Sequence, residues 1–520
     1  MVRNALLGAA CAAGLMLGAC SQDQSASPDA ALSSGPDTSL NRQGVTPVQA
    51  GDSYYQSAAA SVEARAAGRP FGQARNVILF VGDGMGISTI TAARIHAGQL
   101  KGTDGESYRL AMETLPHAAL SKTYSHDAQV SDSASTATAM VAGVKVPSRT
   151  LGITQNASYS NCATVPGNGT DTVFELAEQA GLATGVVTTA RLTHATPASA
   201  YAESANRDWE DDSAMPGASE SDGCPDIARQ FVDWSAGDHF EIALGGGRRH
   251  FMTDAQADPE SAGRTGRRGD GRDLIAAWSA KSDAHVTVSN AAELAAADLA
   301  GGARVLGLFE ASHMKYEVDR ADDTGGEPSL EEMTRAAISR LSQDEDGYVL
   351  LVEAGRIDHG HHGTNAARAL GDAVALDEAV AAALELTSAE DTLIIVTADH
   401  SHTFVIQGYP ARNNPILGKV ALPDGRPAPA GDGRPYTTLS YANGASAYET
   451  FEDGERIDLT EVDTTAKDFR QQSLLPSPSE THAGEDVAIF ARGPGAELVS
   501  GVMEQNEIFH VMGKASGLVE

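Results

Sequence analysis

Cysteine is scarce in this chain: 520 residues hold four, Cys11, Cys20, Cys162 and Cys224. None stands in a Cys-x-x-Cys pair, which argues against a thiolate zinc cage. Bases are also few, 37 Lys and Arg against 70 Asp and Glu, for a formal net charge of −33. A body this acidic repels a polyphosphate backbone, and the densest basic run, Arg264 to Arg272, contains Asp270. No nucleic-acid partner is expected beyond nucleotides taken as substrates. No apolar run reaches the ~20 residues of a membrane-crossing helix. No internal repeat appears. A Gly-x-Ser-x-Gly elbow is missing, which disfavours a Ser-His-Asp hydrolase. Gly245-Gly246-Gly247 lacks the Gly-Lys-Ser/Thr that would complete a phosphate-binding loop.

What is present suits a globular protein: 42% hydrophobic and 21% charged residues. The chain begins with a short basic start, Met1-Val2-Arg3, and an apolar run from Ala5 to Ala19. Residues 1–19 are expected to be an export signal. The run ends Leu17-Gly18-Ala19-Cys20, which resembles a lipoprotein signal with Cys20 as the lipidated residue. Lipid there would anchor an exported protein to the outer membrane, periplasmic or cell-surface, with no helix crossing the bilayer. Residues 20–70, rich in Ser, Pro and Ala, are expected to form a flexible tether. Cys162 and Cys224 then remain as an even pair in an exported chain, and they are expected to form a disulfide.

Beyond the tether, strand and helix signals alternate. Asn76–Val81, Gly185–Thr189, Tyr348–Val352, Thr392–Val396 and Val487–Phe490 read as buried strands, and the Ala-rich stretch Arg368–Leu386 as a covering helix. The expected fold is α/β, a mainly parallel central sheet sandwiched by helices. Between His402 and Glu480 the pattern loosens into Pro, Gly, Asp and Tyr. Residues 402–479 are therefore expected to be an inserted subdomain in a catalytic domain made of 71–401 and 480–520.

Polar clusters follow the strands at once. Val81 leads to Gly82-Asp83-Gly84-Met85-Gly86, Val352 to Glu353, and Val396 to Thr397-Ala398-Asp399-His400. In a parallel sheet these carboxyl ends share one edge, where open α/β folds bind ligands. In Glu353-Ala354-Gly355-Arg356-Ile357-Asp358-His359-Gly360-His361-His362, Asp358 and His362 are four apart and share a helix face, a spacing that can grip one metal. Carboxylate plus imidazole with no thiolate suits Zn²⁺. His482, in Glu480-Thr481-His482-Ala483-Gly484-Glu485-Asp486, is a further candidate ligand. In Val130-Ser131-Asp132-Ser133-Ala134, Asp132 reads as the N-cap of an Ala/Thr-rich helix and Ser133 as its first residue, where free N–H groups favour a phosphate.

Taken in order, these motifs, together with His194-Ala195-Thr196-Pro197, resemble the alkaline phosphatase family over roughly Asn76 to Pro494. His194, His359 and the Tyr441-Ala442-Asn443-Gly444 stretch resemble its animal-type members. The resemblance implies hydrolysis of phosphate monoesters to alcohol and inorganic phosphate through a phosphoserine on Ser133. It implies two zinc ions per subunit, one on Asp358, His362 and His482 and the other on Asp83, Asp399 and His400. One Mg²⁺ on Asp83, Thr196 and Glu353 follows in the same way, and Arg207 as the phosphate clamp. His194 and His359 would face the substrate, and activity would peak at alkaline pH. Cys162 and Cys224 match the animal-type disulfide. Glu260, the Phe309 carbonyl and Glu310 match part of a Ca²⁺ site, the 402–479 insertion matches a crown-like subdomain, and a homodimer is implied. Two other readings differ in class: a related metal-dependent phosphodiesterase or sulfatase, and a lipoprotein that binds metal or phosphate without turnover.

Overall fold

The computed structural model describes residues 40, 42–216 and 224–519. The expected signal 1–19 and the lipidation candidate Cys20 lie outside them.

A ten-stranded sheet forms the centre. Its strands are β1 (Asn76–Gly82), β2 (His117–Lys122), β3 (Ala183–Arg191), β4 (Ile242–Gly246), β5 (His285–Val288), β6 (Arg304–Leu308), β7 (Tyr348–Ala354), β8 (Thr392–Ala398), β9 (Val487–Arg492) and β10 (Gly501–Glu504). Their order across the sheet is β10-β2-β9-β8-β1-β7-β3-β4-β6-β5. Only β9 runs against its neighbours, antiparallel to both β2 and β8. The mainly parallel α/β sandwich expected from the strand pattern is the fold observed.

β1 is buried along its whole length, and its period of two divides it between two cores. Val77, Leu79 and Val81 join one cluster, while Ile78 and Phe80 join the other. Strands covered on both faces read as continuous apolar runs, which is why the sequence reveals them. One face is covered by α1 (Ser53–Ala66), α3 (Ser133–Ala142), α4 (Val173–Gln179) and α8 (Glu507–Ser516); the other by α2 (Ile87–Leu100), α5 (Leu330–Leu341) and α7 (Ala366–Leu386). A short helix, α6 (Arg356–His362), lies between β7 and α7.

Part of the stretch expected to be a tether is folded. Val45 pairs with Val519, and residues 53–66 of the expected tether form α1. Asp52 caps this helix by accepting the N–H of Tyr54, and Tyr55, Ala58 and Val62 bury one stripe of it. Small Ala and Ser side chains look linker-like in composition, yet Ala is the best helix former and the buried stripe has helical spacing.

The insertion is not a separate body, because residues 40–520 form one compact unit. Strands Phe404–Ile406, Leu439–Gly444 and Ser473–Pro476 make a small sheet. Its Phe404, Leu439 and Tyr441 belong to the same core cluster as Ile78 and Phe80.

Candidate active site

Strand register sets the site. Across the sheet Gly82 of β1 pairs with Ala354 of β7 and with Ala398 of β8. The residues just beyond, Asp83 and Asp399, therefore emerge at one edge, level with Glu353, which pairs with Val81. Gly84, at φ 70°, makes the turn after Asp83; a Cβ there would lie 2.4 Å from the His402 ring. Its N–H donates to Asp399 Oδ1 at 2.9 Å, locking the two strand ends together.

Ser133 begins α3 and points into this edge. Asp132 caps the helix, accepting the N–H of Ala134 at 3.2 Å and of Ser135 at 3.5 Å. The Ser133 hydroxyl lies 3.3 Å from Asp83 Oδ1 and 3.1 Å from His400 Nε2. His400 Nε2 is in turn 3.4 Å from Asp83 Oδ1 and 3.3 Å from Asp399 Oδ2. Beside this set, Asp358 Oδ1 is 3.3 Å from His362 Nε2 and 3.4 Å from His482 Nε2, and the two imidazole nitrogens are 3.2 Å apart. Tetrahedral zinc with bonds of about 2.0–2.1 Å to N and O separates its ligand atoms by roughly 3.3–3.4 Å. Both sets have those edges, so their donors fit zinc in kind and in spacing.

A third set is marked by buried oxygens without partners: Asp83 Oδ2, Thr196 Oγ1 and Glu353 Oε1. Buried polar atoms are normally paired, so three orphans on neighbouring residues fit a cation with oxygen preference, the chemistry of Mg²⁺. The charges agree. Burial raises Asp83 well above the carboxylate range, and Asp399, Asp358 and Glu353 add repulsion. Burial likewise pushes Glu353 up to about 7 against the hydrogen bond that Thr188 donates to it. His194 offers a ring nitrogen near Asp83 and Glu353 as well.

Arg207 is aimed at the same place. Its Nη1 donates to Asp132 Oδ2 at 3.0 Å and its Nη2 to His194 Nε2 at 2.9 Å. Burial disfavours the ionised Asp132, but Arg207 and the helix N–H groups outweigh it and hold the carboxyl below its usual range. His194 and His359 come together, ring centres 5.5 Å apart.

Three contributors escaped the sequence reading. His402 Nε2 donates to Asp358 Oδ1 (2.8 Å) and its Nδ1 to Glu480 Oε2 (2.5 Å). Burial alone would lower the His402 pKa, yet Glu480 and Asp358 push it up to about 10. The signal was available: His402 is two residues past His400, and Glu480 two before His482, a spacing that shares one face of an extended chain. His402 pairs with His482 across a two-residue ladder, so placing the insertion boundary at 402 cuts through the site. The third is His313, whose ring packs 4.1 Å from His359 and 5.2 Å from His194. No local pattern marks it.

The Cys162–Cys224 disulfide is present. The residues expected to hold calcium are neighbours too, but cations of the chain itself already pair with them. Arg248 donates to Glu260 Oε2 at 2.8 Å, its backbone N–H donates to the Glu310 carbonyl at 3.0 Å, and Lys315 pairs with the Glu310 carboxylate. Phe309 precedes Glu310 at the end of β6, its N–H donating to Gly245.

Comparison with known proteins places this geometry. Residues 74–518 match the family model for alkaline phosphatase. The tissue-nonspecific alkaline phosphatase of Gallus gallus is 46% identical over 449 residues, covering 85% of this chain and 84% of the relative. Among solved structures, the alkaline phosphatase of Thermus thermophilus is similar at a TM-score of 0.60 and 29% identity, covering 86% of this chain and 92% of that one. A variant of the alkaline phosphatase TAB5, solved with Mg in its M3 site, shares the fold at a TM-score of 0.57 and 23% identity, covering 87% of this chain and all of its own. With the motifs in order, the strand-end cluster assembled and both matches spanning nearly the whole folded part, this chain belongs to the alkaline phosphatase family and is a phosphomonoesterase.

Proposed function

We propose that Ser133 is the nucleophile of this phosphatase, that Asp358, His362 and His482 hold one zinc and Asp83, Asp399 and His400 a second, and that Asp83, Thr196 and Glu353 hold Mg²⁺. One observation carries the reading: the Ser133 oxygen lies within 3.3 Å of both Asp83 Oδ1 and His400 Nε2, at the corner their ligand set leaves open. When bound, such ions supply positive charge opposite the attacking and leaving oxygens and lower the pKa of hydroxyl and water.

The chain's own residues supply placement. Asp132 fixes the start of α3, so the Ser133 hydroxyl and the free helical N–H groups face the same phosphate. Arg207 offers two parallel N–H donors to its equatorial oxygens, a fork that lysine lacks. Against the effect of burial, Asp132 keeps that guanidinium charged, and its hydrogen bond orients it. Ser133 gives its hydroxyl proton to solvent and its Oγ forms the new bond to phosphorus as the ester O–P bond breaks; the leaving alkoxide takes up a proton from solvent and departs as the alcohol. Water then attacks the phosphoserine from the opposite side, releasing phosphate and restoring Ser133. His359 and His194 flank the phosphate, both held as neutral imidazoles chiefly by burial, His359 down to about 3. A neutral ring there orders water instead of adding charge.

Acid quenching during turnover of a phosphate monoester should trap phosphate on Ser133, and the zinc and magnesium content of the purified protein should be two and one per chain. Faster turnover of a phosphodiester or a sulfate ester would replace this reading with one of the related hydrolases. A homodimer, export, and lipidation of Cys20 complete the proposal. The Cys162–Cys224 bond supports an oxidising compartment, and among the described residues no helix is long and apolar enough to cross a membrane. Sedimentation and mass spectrometry of the mature terminus test these points; a monomer or an unmodified terminus would refute them.

A further inference from the structure

We infer that His361 is the positioning residue of the helix that carries Asp358 and His362, and that Tyr441 makes the inserted segment part of that support. The inference rests on reading Asp358 and His362 as ligands of one zinc.

α6 has only seven residues. A helix this short has no stability of its own and takes its position from what it touches. Two of the three ligand atoms in the first set ride on it. Ile357 sits in the core, and Gly360 lies so close to α7 that a Cβ would come within 2.6 Å of the Ala369 nitrogen. Those contacts fix height and distance. Rotation about the helix axis needs directional contacts; Asp358 has one at His402 and His362 one at Glu480, and His361 adds one on the side turned away from the metal.

The His361 ring is fully buried. Its Nε2 is 2.9 Å from Thr89 Oγ1 on α2, and its Nδ1 is 2.9 Å from the Tyr441 hydroxyl in the inserted segment. Both nitrogens are thus committed away from the metal side. The ring also leans on His402 at 4.9 Å and on Phe404 at 4.8 Å. Thr89 and Tyr441 are themselves buried, at 1% and 2% exposure, so neither hydroxyl can turn to water instead. Three chain segments meet on one imidazole. Removing either hydroxyl leaves a buried ring nitrogen unpaired, which is unfavourable where it stays put. The relief is a turn of α6, which displaces Asp358 and His362 together.

The test is zinc release to a chromogenic chelator from the metal-loaded full chain, with folding checked by circular dichroism. Tyr441→Phe and Thr89→Val are close to isosteric. Each should speed release of one of the two zincs about 10-fold or more, the scale of losing a partner behind a metal ligand, while the other zinc leaves at the parental rate. kcat should fall with that zinc's occupancy and recover at high zinc, with KM for the ester little changed. His361→Gln should behave more like the parent than His361→Phe, and Tyr441→Phe should add nothing in a His361→Phe background. Release within about twofold of the parent in both folded single variants would overturn the inference. Should Tyr441→Phe not fold, Thr89→Val decides alone. A parent that holds no zinc would instead refute the ligand assignment beneath it.

Discussion

The Ser133 hydroxyl oxygen lies 3.1 Å from Nε2 of His400, although the two residues are 267 positions apart in the chain. Ser133 heads α3 on one face of the sheet, and His400 follows the tip of β8. Their meeting places the proposed nucleophile at the rim of a charged, cation-seeking cluster. Ser133→Ala should lower turnover on the order of 10³-fold or more, as loss of a nucleophile does. Zinc content should stay near the parental value, because the other ligands of that set are untouched. Unchanged hydrolysis would remove Ser133 from the mechanism.

Arg207 and Asp132 form a partly buried pair at 3.0 Å. Arg207→Lys keeps a charge but loses the fork. Losing one charge-assisted hydrogen bond costs about 1.5–3 kcal/mol, so kcat/KM should drop about 10- to 100-fold. Inorganic phosphate should also inhibit more weakly. A variant with parental phosphate affinity would show that another group clamps the anion.

Metal removal should be felt by the fold as well as by turnover. Asp83, Asp399, Asp358 and Glu353 repel one another across a buried space. An ion bound only to the folded chain stabilises it by about 2.7 kcal/mol at a hundredfold excess over Kd. Treatment with a chelator should lower the melting temperature and abolish hydrolysis. Zinc alone should restore part of the activity, and zinc with magnesium the rest. An unchanged melting curve would mean that no cation sits among these carboxylates.

The disulfide closes a loop with a separation of 62 residues. On the chain-entropy model such a link is worth about 4 kcal/mol, within a usual range of about 2–4. Replacing Cys162 and Cys224 together by Ser should lower the denaturation midpoint accordingly, with little change in KM below the transition. The bond belongs to a small satellite core with Trp209 and Ile153, not to the site.

Alkaline pH should weaken the fold through two buried carboxyls far from the metals. Burial, with Asp238 nearby, pushes Glu178 up to about 8 and Glu241 up to about 7. Each folded pKa exceeds its unfolded value, so the folded state holds these protons more tightly. Their stabilising contribution is complete below the unfolded pKa and is lost as pH rises through about 7–8. Glu178→Gln should therefore flatten the decline in melting temperature between about pH 5 and pH 8. Thr184 donates its hydroxyl to Glu178 Oε1 at 2.5 Å, a bond that the Gln carbonyl can still accept. An equally steep decline in the variant would assign it to other groups.

Much of this was legible in the amino-acid order because buried parallel strands must be apolar on both faces. Val77 to Val81 and Leu393 to Val396 announce themselves as strands for that reason. The i, i+4 spacing of Asp358 and His362 is equally local, as is the capped start of the helix at Ser133. His402 and Glu480 were harder, because their partners lie 44 and 78 positions away and neither motif states which face it turns inward. His313 carries no local signal at all; only the packing of the loop after β6 brings it beside His194 and His359.

The order of residues therefore determined the elements, the donor types and the family, since these depend on neighbours within a few positions along the chain. Tertiary structure alone decided the rest: that residues 53–66 dock as a helix, that Arg248 and Lys315 pair with the carboxylates expected for calcium, and that the inserted segment reaches α6 through Tyr441. Each depends on distances between atoms far apart in sequence. Hydrogen bonds and charge pairs act over a few ångströms in space, which a linear pattern does not encode.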